Sequence, residues 1–513
     1  MVFSSNVFLF LFLPIFLGLY YLSPARYRNL LILIGSYIFY GWWRVDFLLL
    51  FAAVTLWNYW FGLKIHRAGP RTREAQRWVL WGVAGNLATL GYFKYANFGM
   101  ANLNAVLESA GFDPFLFTHV ILPIGISFYI FQSISYLVDV YRGDTEPTEN
   151  LINFAAFIAL FPQLIAGPVL RYKDLADQFT GRTHSLDKFS EGATRFMQGF
   201  VKKVFIADTL SPLVDHCFAL ENPSTGDAWL GMLAYTAQLY FDFSGYSDMA
   251  IGLGLMMGFR FMENFNQPYI SQSITEFWRR WHISLSTWLR DYLYVPLGGN
   301  RHGTFNTYRN LFLTMLLGGF WHGANWTFLI WGAWHGTLLA IERALGVNAV
   351  PKRINPLKWA LTFFLVMIGW VIFRAENLDV AWRMYQAMFS FEHLGLSELN
   401  RAAVTELQIF TLGVAYLTIA ICGLRQFYRN PLSPKAPKTE ADGPATDQPR
   451  MVRAGPGDSA QVTVTASGML VQPVAWNHRL QRYLLRTAVL VLFSVSVLKL
   501  SAQSYSPFPY FQF

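Results

Sequence analysis

Long apolar runs separated by short polar connections extend along nearly the whole chain. The runs cover approximately residues 7–23, 29–43, 47–63, 78–98, 115–141, 151–170, 196–214, 229–258, 310–346, 358–374, 402–424 and 484–500. A helix that crosses the hydrocarbon core of a bilayer takes about 20 mostly apolar residues. Some runs are too long for one crossing and some are too short. The pattern therefore predicts an all-α polytopic membrane protein with about 10–13 transmembrane or re-entrant helices.

One stretch near the C-terminus has the opposite character. Residues 431–475 are rich in Pro, Gly, Ala, Ser, Thr, Asp and Lys, so they cannot bury enough apolar surface to fold alone. We expect a membrane domain at 1–430, a flexible and cytoplasmic loop at 431–475, and a final transmembrane helix with a C-terminal tail at 476–513.

The positions of the basic residues predict how the chain is oriented. Basic side chains cluster at 64–77 and at 171–203, and such clusters collect in cytoplasmic loops. No positive charge precedes the run Val7–Leu22, and no small-residue cleavage site follows it. The run is therefore expected to be an uncleaved first span with its N-terminus outside.

Composition narrows the class of protein. The chain is 54% hydrophobic and only 14% charged, whereas soluble domains contain roughly 25% charged residues. Since no basic, aromatic-interleaved domain lies outside the apolar runs, the formal net charge of +9 indicates orientation and not nucleic-acid binding. Cys217 and Cys422 are far apart in sequence and match no metal or redox spacing.

Polar residues inside apolar runs are costly and are therefore functional candidates. His322 and Asn325 lie between the apolar stretches Leu311–Leu317 and Thr327–Trp334, and glycines flank His322 so that a substrate could approach it closely. The alternative for His322 is a hydrogen bond that holds two helices together, and the pattern leaves both open. His335 is a candidate for that bridging role.

A second polar segment runs from Phe277 to Tyr292. If it were one helix, its Trp and Tyr residues, His282 and two leucines would fall on one face. This spacing favours a helix lying at the membrane surface with its aromatic rings at headgroup depth. It leaves the role of His282 open.

Three further segments carry polar or helix-breaking residues. Tyr240–Asp248 includes Asp242, and its two carboxylates are expected to line a polar cavity or to stabilise broken helices. Gln163 lies between Pro162 and Pro168, where a kink is favoured. The glycine-rich segment 296–303 lacks a phosphate-binding signature and predicts a tight cytoplasmic turn.

Taken together, these segments resemble the membrane-bound O-acyltransferase family. The matching stretches are Leu122–Gly143, Phe161–Arg171, Gln238–Tyr269, Phe277–Arg301 and Leu317–Gly336, and of these the Trp-His-Gly motif around His322 is the most specific. They are most similar to the bacterial branch that acylates cell-surface polymers. The loop at 431–475 is a departure in composition.

The resemblance implies a function and a site. It implies a catalytic core at about 115–345, with His322 as the catalytic histidine and His282 as a second active-site residue. Asn325, Trp321, Asp242 and Gln163 are the candidate substrate-binding residues. It also implies transfer of an acetyl group across the inner membrane for O-acetylation of an exopolysaccharide. Alginate is the expected polymer, with cellulose, peptidoglycan and teichoic acid as alternatives.

The chemistry needs few groups beyond a base. An uncharged buried imidazole can accept the proton of an attacking hydroxyl. The expected donor is acetyl-CoA or another acetyl thioester, with no bound cofactor and no metal site. The expected partners are the lipid bilayer and periplasmic acetyltransferase subunits. A polysaccharide-export transporter and a secretion scaffold are the competing classes, and neither requires the Trp-His-Gly motif.

Overall fold

The fold is entirely helical wherever the structure describes it. The structure is a computed structural model that describes residues 1–165, 167–347, 354–429 and 475–502, with side chains omitted for 429 and 475–482. Among these residues no strand occurs. The predicted all-α membrane fold is confirmed.

The helices of the N-terminal part are mostly joined by short connections. They are α1 (Leu13–Leu22), α2 (Arg28–Gly41), α3 (Asp46–Ala68), α4 (Arg73–Leu90), α5 (Ala96–Ser109), α6 (Ile126–Arg142), α7 (Leu151–Ala159), α8 (Phe161–Leu164), α9 (Tyr172–Gly181), α10 (Leu186–Phe200) and α11 (Asp208–Ala219). Wider π-helical turns occur at Phe8–Phe12, Gly91–Tyr95 and Val201–Ala207. They continue into the neighbouring α-helices without a break in the chain direction.

The C-terminal part starts with the longest helix. Its elements are α12 (Thr225–Met256), α13 (Ile274–Arg280), α14 (Ile283–Leu289), α15 (Gly303–His322), α16 (Trp326–Ala344), α17 (Pro356–Arg374), α18 (Leu378–Ser390), α19 (Glu398–Ala403), α20 (Glu406–Arg429) and α21 (Ala475–Ala502). A π-helical turn at Arg290–Tyr294 follows α14.

Four helices are long and apolar enough to cross a bilayer by length and composition alone. They are Asp46–Ala68, Pro356–Arg374, Glu406–Tyr428 and Tyr483–Ala502, and Phe8–Leu22 is a shorter apolar helix. The last two of the four have few buried residues. Because apolar side chains gain nothing from exposure to water, these two helices are suited to face lipid.

One end of the helix bundle carries the basic clusters. Helix α9 lies across this end, where Lys173 pairs with Asp139 of α6 at 2.9 Å and Arg182 donates to the hydroxyl of Tyr20 at 2.8 Å. Arg71, between α3 and α4, donates its amide to the carbonyl of Tyr141 at 3.0 Å. We call this the basic end. The charge rule predicts that this end faces the cytoplasm.

Two aromatic-rich cores hold the bundle together. One is built mainly from α1 to α4, α6 to α10, the C-terminal half of α12 and α14, and it includes Trp321. The other is built from α11, the N-terminal half of α12, α13, α15 to α18 and α20, and it includes Trp331 and Phe373. His322 contacts residues of both cores, so it lies where they meet.

The segment 277–292 does not form the single surface helix that its spacing predicted. Helix α13 ends at Arg280, and His282 takes a left-handed backbone conformation with φ 43° and ψ 54° before α14 begins. The residues of the proposed membrane-facing stripe are buried. Hydrogen bonds from this junction to Asn264 replace the helical ones, so tertiary contacts override the periodicity.

Other expectations agree with the structure. The run 310–346 divides into α15 and α16, and the turn at 296–303 has left-handed glycines at Gly298, Gly299 and Gly303. The chain also breaks at Leu160, before Pro162, which agrees with the expected kink. The predicted loop at 431–475 lies outside the described residues except for Ala475, the first residue of α21.

Candidate active site

His322 is the last residue of α15 and lies at the end of a cavity. Its side chain is 8% exposed, and its ring is 5.0–5.3 Å from the rings of Trp321, Trp331 and Phe373. Gly323 follows in extended conformation, with no room for a β-carbon against Phe328. A glycine is therefore required where the chain leaves α15 beside the histidine.

The cavity that His322 lines has a volume of about 620 Å³, and we call it the His322 cavity. It is largely apolar, and its polar side chains include those of Lys94, Ser127 and Ser5. It extends to Trp42 and Trp43, which follow the end of α2 opposite the basic end. A ligand from the non-basic face could therefore reach the imidazole.

Lys94 is a site residue that the sequence analysis missed. Its ammonium donates to the carbonyl oxygens of Trp321 and His322, the latter at 3.1 Å, and to the hydroxyl of Ser127 at 3.2 Å. It also lies 5.6 Å from the ring centre of Trp321. The signal was present, because Lys94 is a cation inside the apolar run 78–98.

A second cavity of about 790 Å³ lies on the other side of Lys94, and we call it the Asn325 cavity. Its polar lining includes Asn97, His119, Arg374 and Asn325. Asn325 caps α16 by accepting from the amide of Thr327 at 3.1 Å and donates to the carbonyl of Glu376 at 2.9 Å. Its side chain is thus engaged by the protein while it also faces this cavity.

His282 is fully buried and is fixed in one orientation by Asn264. Its Nδ1 lies 3.1 Å from Oδ1 of Asn264, which also accepts from the hydroxyl of Ser284 at 2.8 Å, while the amide nitrogen of Asn264 donates to Ser247 at 3.0 Å. Since Oδ1 can only accept, Nδ1 must carry the proton. Nε2 is then an acceptor, and it has no hydrogen-bond partner among the described residues.

The two histidines lie on either side of Trp321. The ring centre of Trp321 is 5.0 Å from that of His322 and 6.4 Å from that of His282. The indole N–H of Trp321 is buried and has no acceptor among the described residues. Trp321 also lines the His322 cavity, so a bound ligand could supply that acceptor.

A third cavity opens from the basic end. It has a volume of about 520 Å³ and is lined by Arg279, Arg290, Arg343 and Trp278, and we call it the Arg343 cavity. The ring of Trp278 is 5.7 Å from that of Trp331, and Trp331 is 5.2 Å from His322. Two ring contacts therefore connect the Arg343 cavity with the histidine.

His335 belongs to this aromatic wall. It is fully buried, its ring lies 5.0 Å from Trp331 and 5.3 Å from Trp278, and neither ring nitrogen has a hydrogen-bond partner among the described residues. The predicted helix-bridging hydrogen bond is therefore wrong. His335 bridges α13, α16 and α17 through ring packing instead.

Asp242 and Gln163 lie away from the cavities around His322. Asp242 is in an unbroken helix and pairs with Lys203 at 2.6 Å in the π-helical turn between α10 and α11. Of the two alternatives for this segment, stabilisation of an irregular helix describes the contact. Gln163 donates to the carbonyl of Phe157 at 3.0 Å across the kink before α8.

The metal-binding types of side chain are not clustered in the part of the chain that the structure describes. Among the described residues, no group of three or more His, Cys, Asp or Glu side chains is arranged to hold a metal ion. The site thus offers a neutral acid–base group, a buried indole and an ammonium. An imidazole can act as a general base, and N–H donors can stabilise a developing negative charge.

Several known proteins resemble this chain, some of them over its full length. It is 72% identical to the probable alginate O-acetylase AlgI of Pseudomonas aeruginosa, with 100% of both chains covered. It is 38% identical to a peptidoglycan O-acetyltransferase of Helicobacter pylori over 79% of this chain and 82% of the relative. It is 29% identical to a teichoic acid D-alanyltransferase of Bacillus subtilis over 58% of this chain and 84% of the relative.

The family model for membrane-bound O-acyltransferases matches residues 147–375. This range contains α12 to α17, and therefore His282, His322, Trp331 and the wall between the two faces. Since the relatives that match are also acyltransferases, the chain belongs to the membrane-bound O-acyltransferase family and is a membrane-embedded acyltransferase.

Proposed function

We propose that this protein transfers an acetyl group from a cytoplasmic thioester to a hydroxyl on the periplasmic side of the inner membrane, for O-acetylation of alginate. The observation that carries the proposal is a buried histidine at the end of a cavity from one face, separated by two aromatic contacts from a cavity at the other face. The relatives named as alginate O-acetylases support the choice of polymer.

The proposed reaction uses one general base and replaces the C–S bond of the thioester by the C–O bond of an ester. The hydroxyl oxygen of the acceptor attacks the thioester carbonyl carbon while the imidazole of His322 takes the hydroxyl proton. The tetrahedral oxyanion collapses, the C–S bond breaks, and the leaving thiolate takes the proton back from His322. The products are an acetyl ester and a free thiol, and no further reactant is needed.

Trp321 and His282 assist in different ways. The free indole N–H of Trp321 can donate to the carbonyl oxygen as it becomes negative. His282 carries its proton at Nδ1, so it cannot polarise the carbonyl in this tautomer, and it lies behind Trp321, where it can keep the indole in place. Asn325 positions the chain after His322 through its cap on α16.

The proposed donor enters at the basic end. Arg279, Arg290 and Arg343 at the Arg343 cavity suit the phosphates of acetyl-CoA, because guanidinium groups bind phosphate well. The thioester is itself the donor substrate, and no bound cofactor is invoked. The proposed acceptor is a hydroxyl on a periplasmic acetyltransferase subunit, which fits a cavity that opens at the other face.

Turnover of acetyl-CoA by the purified protein in detergent tests this proposal. We expect the wild-type protein to release free thiol from acetyl-CoA, and to do so faster with an added hydroxyl acceptor. His322→Ala should lose this activity by about 10²–10⁴-fold, the usual contribution of a general base. His335→Ala is the matched control, because it removes a neighbouring buried histidine with no access to the cavity. Equal turnover by His322→Ala and wild type would contradict the proposal.

A further inference from the structure

We infer that Lys94 is a positioning residue for His322, and that its positive charge is required for catalysis and not only for folding. This inference rests on the proposed acyl transfer. It starts from the position of one ammonium group, which contacts the end of α15 and lines both the His322 cavity and the Asn325 cavity.

The ammonium of Lys94 donates to backbone carbonyls that have no hydrogen-bond donor within α15. The last carbonyls of a helix have no amide of the next turn to accept from. Two of the carbonyls at the end of α15, those of Trp321 and His322, accept from Lys94. The positive charge also lies at the negative end of the helix dipole, where a cation is favourable. Lys94 therefore fixes the backbone from which the imidazole of His322 projects.

The hydrogen-bond acceptors of the Lys94 ammonium are uncharged groups. Among the described residues no carboxylate forms an ion pair with it, and its third acceptor is the hydroxyl of Ser127. Lys203 inside the bundle differs, since it pairs with both Asp208 and Asp242 at 2.6 Å. The field of an ammonium without a carboxylate partner extends into the site. There it favours the negative charge that develops on the thioester carbonyl oxygen.

The neighbouring residue provides a matched control. Tyr95 donates from its hydroxyl to the carbonyl of Phe320 at 3.0 Å, in the same turn of α15, and its ring stacks on that of Phe320 at 4.3 Å. Tyr95→Phe removes one hydrogen bond to the end of α15 but no charge. If holding the helix end were all that mattered, Tyr95→Phe and Lys94→Gln would lower activity to a similar extent.

Kinetics of acetyl transfer with purified variants test the inference. We expect Lys94→Gln to lower kcat about tenfold to hundredfold with KM within about twofold of wild type, because an interaction made in the transition state is lost. Tyr95→Phe should keep kcat within about twofold. A kcat of Lys94→Gln equal to that of wild type would overturn the inference. So would an equal loss in the two variants.

Chemical rescue separates charge from packing and from misfolding. Lys94→Cys in a chain that lacks Cys217 and Cys422 is purified and then alkylated with 2-bromoethylamine, which restores an ammonium at the length of lysine. Iodoacetamide gives a neutral side chain of similar length. We expect only the ammonium to restore kcat. Equal recovery with both reagents, or recovery with neither, would overturn the inference.

The two proposals fail in different ways. If wild-type protein and His322→Ala show the same turnover, the acyl-transfer mechanism fails and the role of Lys94 fails with it. If His322→Ala is inactive while Lys94→Gln equals wild type, only the inference about Lys94 is refuted.

Discussion

At the level of single residues, the three buried histidines of the site have different surroundings and therefore different expected roles. His322 lines a cavity, His282 is held by Asn264, and His335 is packed among tryptophan rings. The sequence singled out all three as polar groups in apolar surroundings. It could not separate them, because hydrogen-bond partners such as Asn264 come from segments distant in sequence.

Substitution of His282 and His335 should separate catalysis from stability. His282→Ala removes the ring behind Trp321, so we expect kcat for acetyl transfer to fall about 10²-fold, the effect of a small misplacement of an active-site group. His335→Ala leaves a cavity among aromatic rings and should cost about 3 kcal/mol of stability, with kcat of the folded protein near wild type. Thermal melting and initial rates on the same preparations measure both. The reverse pattern would show that His335 acts in the chemistry.

Lys94 and Asp242 are both ionisable groups in apolar runs of the sequence. The motif that contains Asp242 singled it out as a candidate, whereas no motif marks Lys94. The structure places Lys94 against the backbone of His322 and Asp242 against Lys203. The rule that intramembrane charge marks function applies to both residues. Only the packing of α4, α10, α12 and α15 shows which charge lies at the site.

At the level of helices, close packing of α15 on α16 sets the position of His322. A β-carbon on Gly332 would lie 2.5 Å from the carbonyl oxygen of Met315, and one on Gly319 would lie 2.9 Å from the Cα of Gly332. Small residues of this kind let two membrane helices approach closely. The run 310–346 indicated two helices by its length. It did not show that glycines form their interface.

Enlarging one of these glycines should move the catalytic helix. Gly332→Ala forces α15 and α16 apart, so we expect about 1–3 kcal/mol of lost stability together with reduced acetyl transfer. Gly413→Ala in α20 is the control, because no atom lies within 4 Å of its added carbon. It should match or exceed wild-type stability, since alanine favours helix by about 1 kcal/mol over glycine. Melting curves in detergent would measure the difference, and equal curves would contradict the account.

Segment 277–292 shows why helix periodicity misleads at a functional site. The spacing of its aromatic residues is compatible with a single amphipathic helix, yet the helix is interrupted at Trp281 and His282. The break turns the stripe of rings inward and presents His282 to Asn264. Long-range hydrogen bonds of this kind leave no periodic signal in the sequence. The all-α class does leave one, because it shows as repeated long apolar runs.

At the level of the whole molecule, acetyl transfer across the membrane requires cavities that open at opposite faces. The His322 cavity includes Ser5, and the Arg343 cavity includes Thr287. Cysteines placed at these two positions, in a chain without Cys217 and Cys422, should differ in labelling by a membrane-impermeant thiol reagent. Ser5→Cys should react in intact cells, and Thr287→Cys only after the inner membrane is permeabilised. Labelling of Thr287→Cys in intact cells would reverse the orientation.

The measurement that tests the central claim most directly is the acetyl content of exported alginate from cells that carry His322→Ala in place of the wild-type protein. We expect alginate to be made and exported at normal yield but without acetyl groups, because removal of a general base lowers the transfer rate about 10²–10⁴-fold. Membrane levels of the variant, checked by immunoblot, should match wild type. Alginate that retains its normal acetyl content at that protein level would contradict the account.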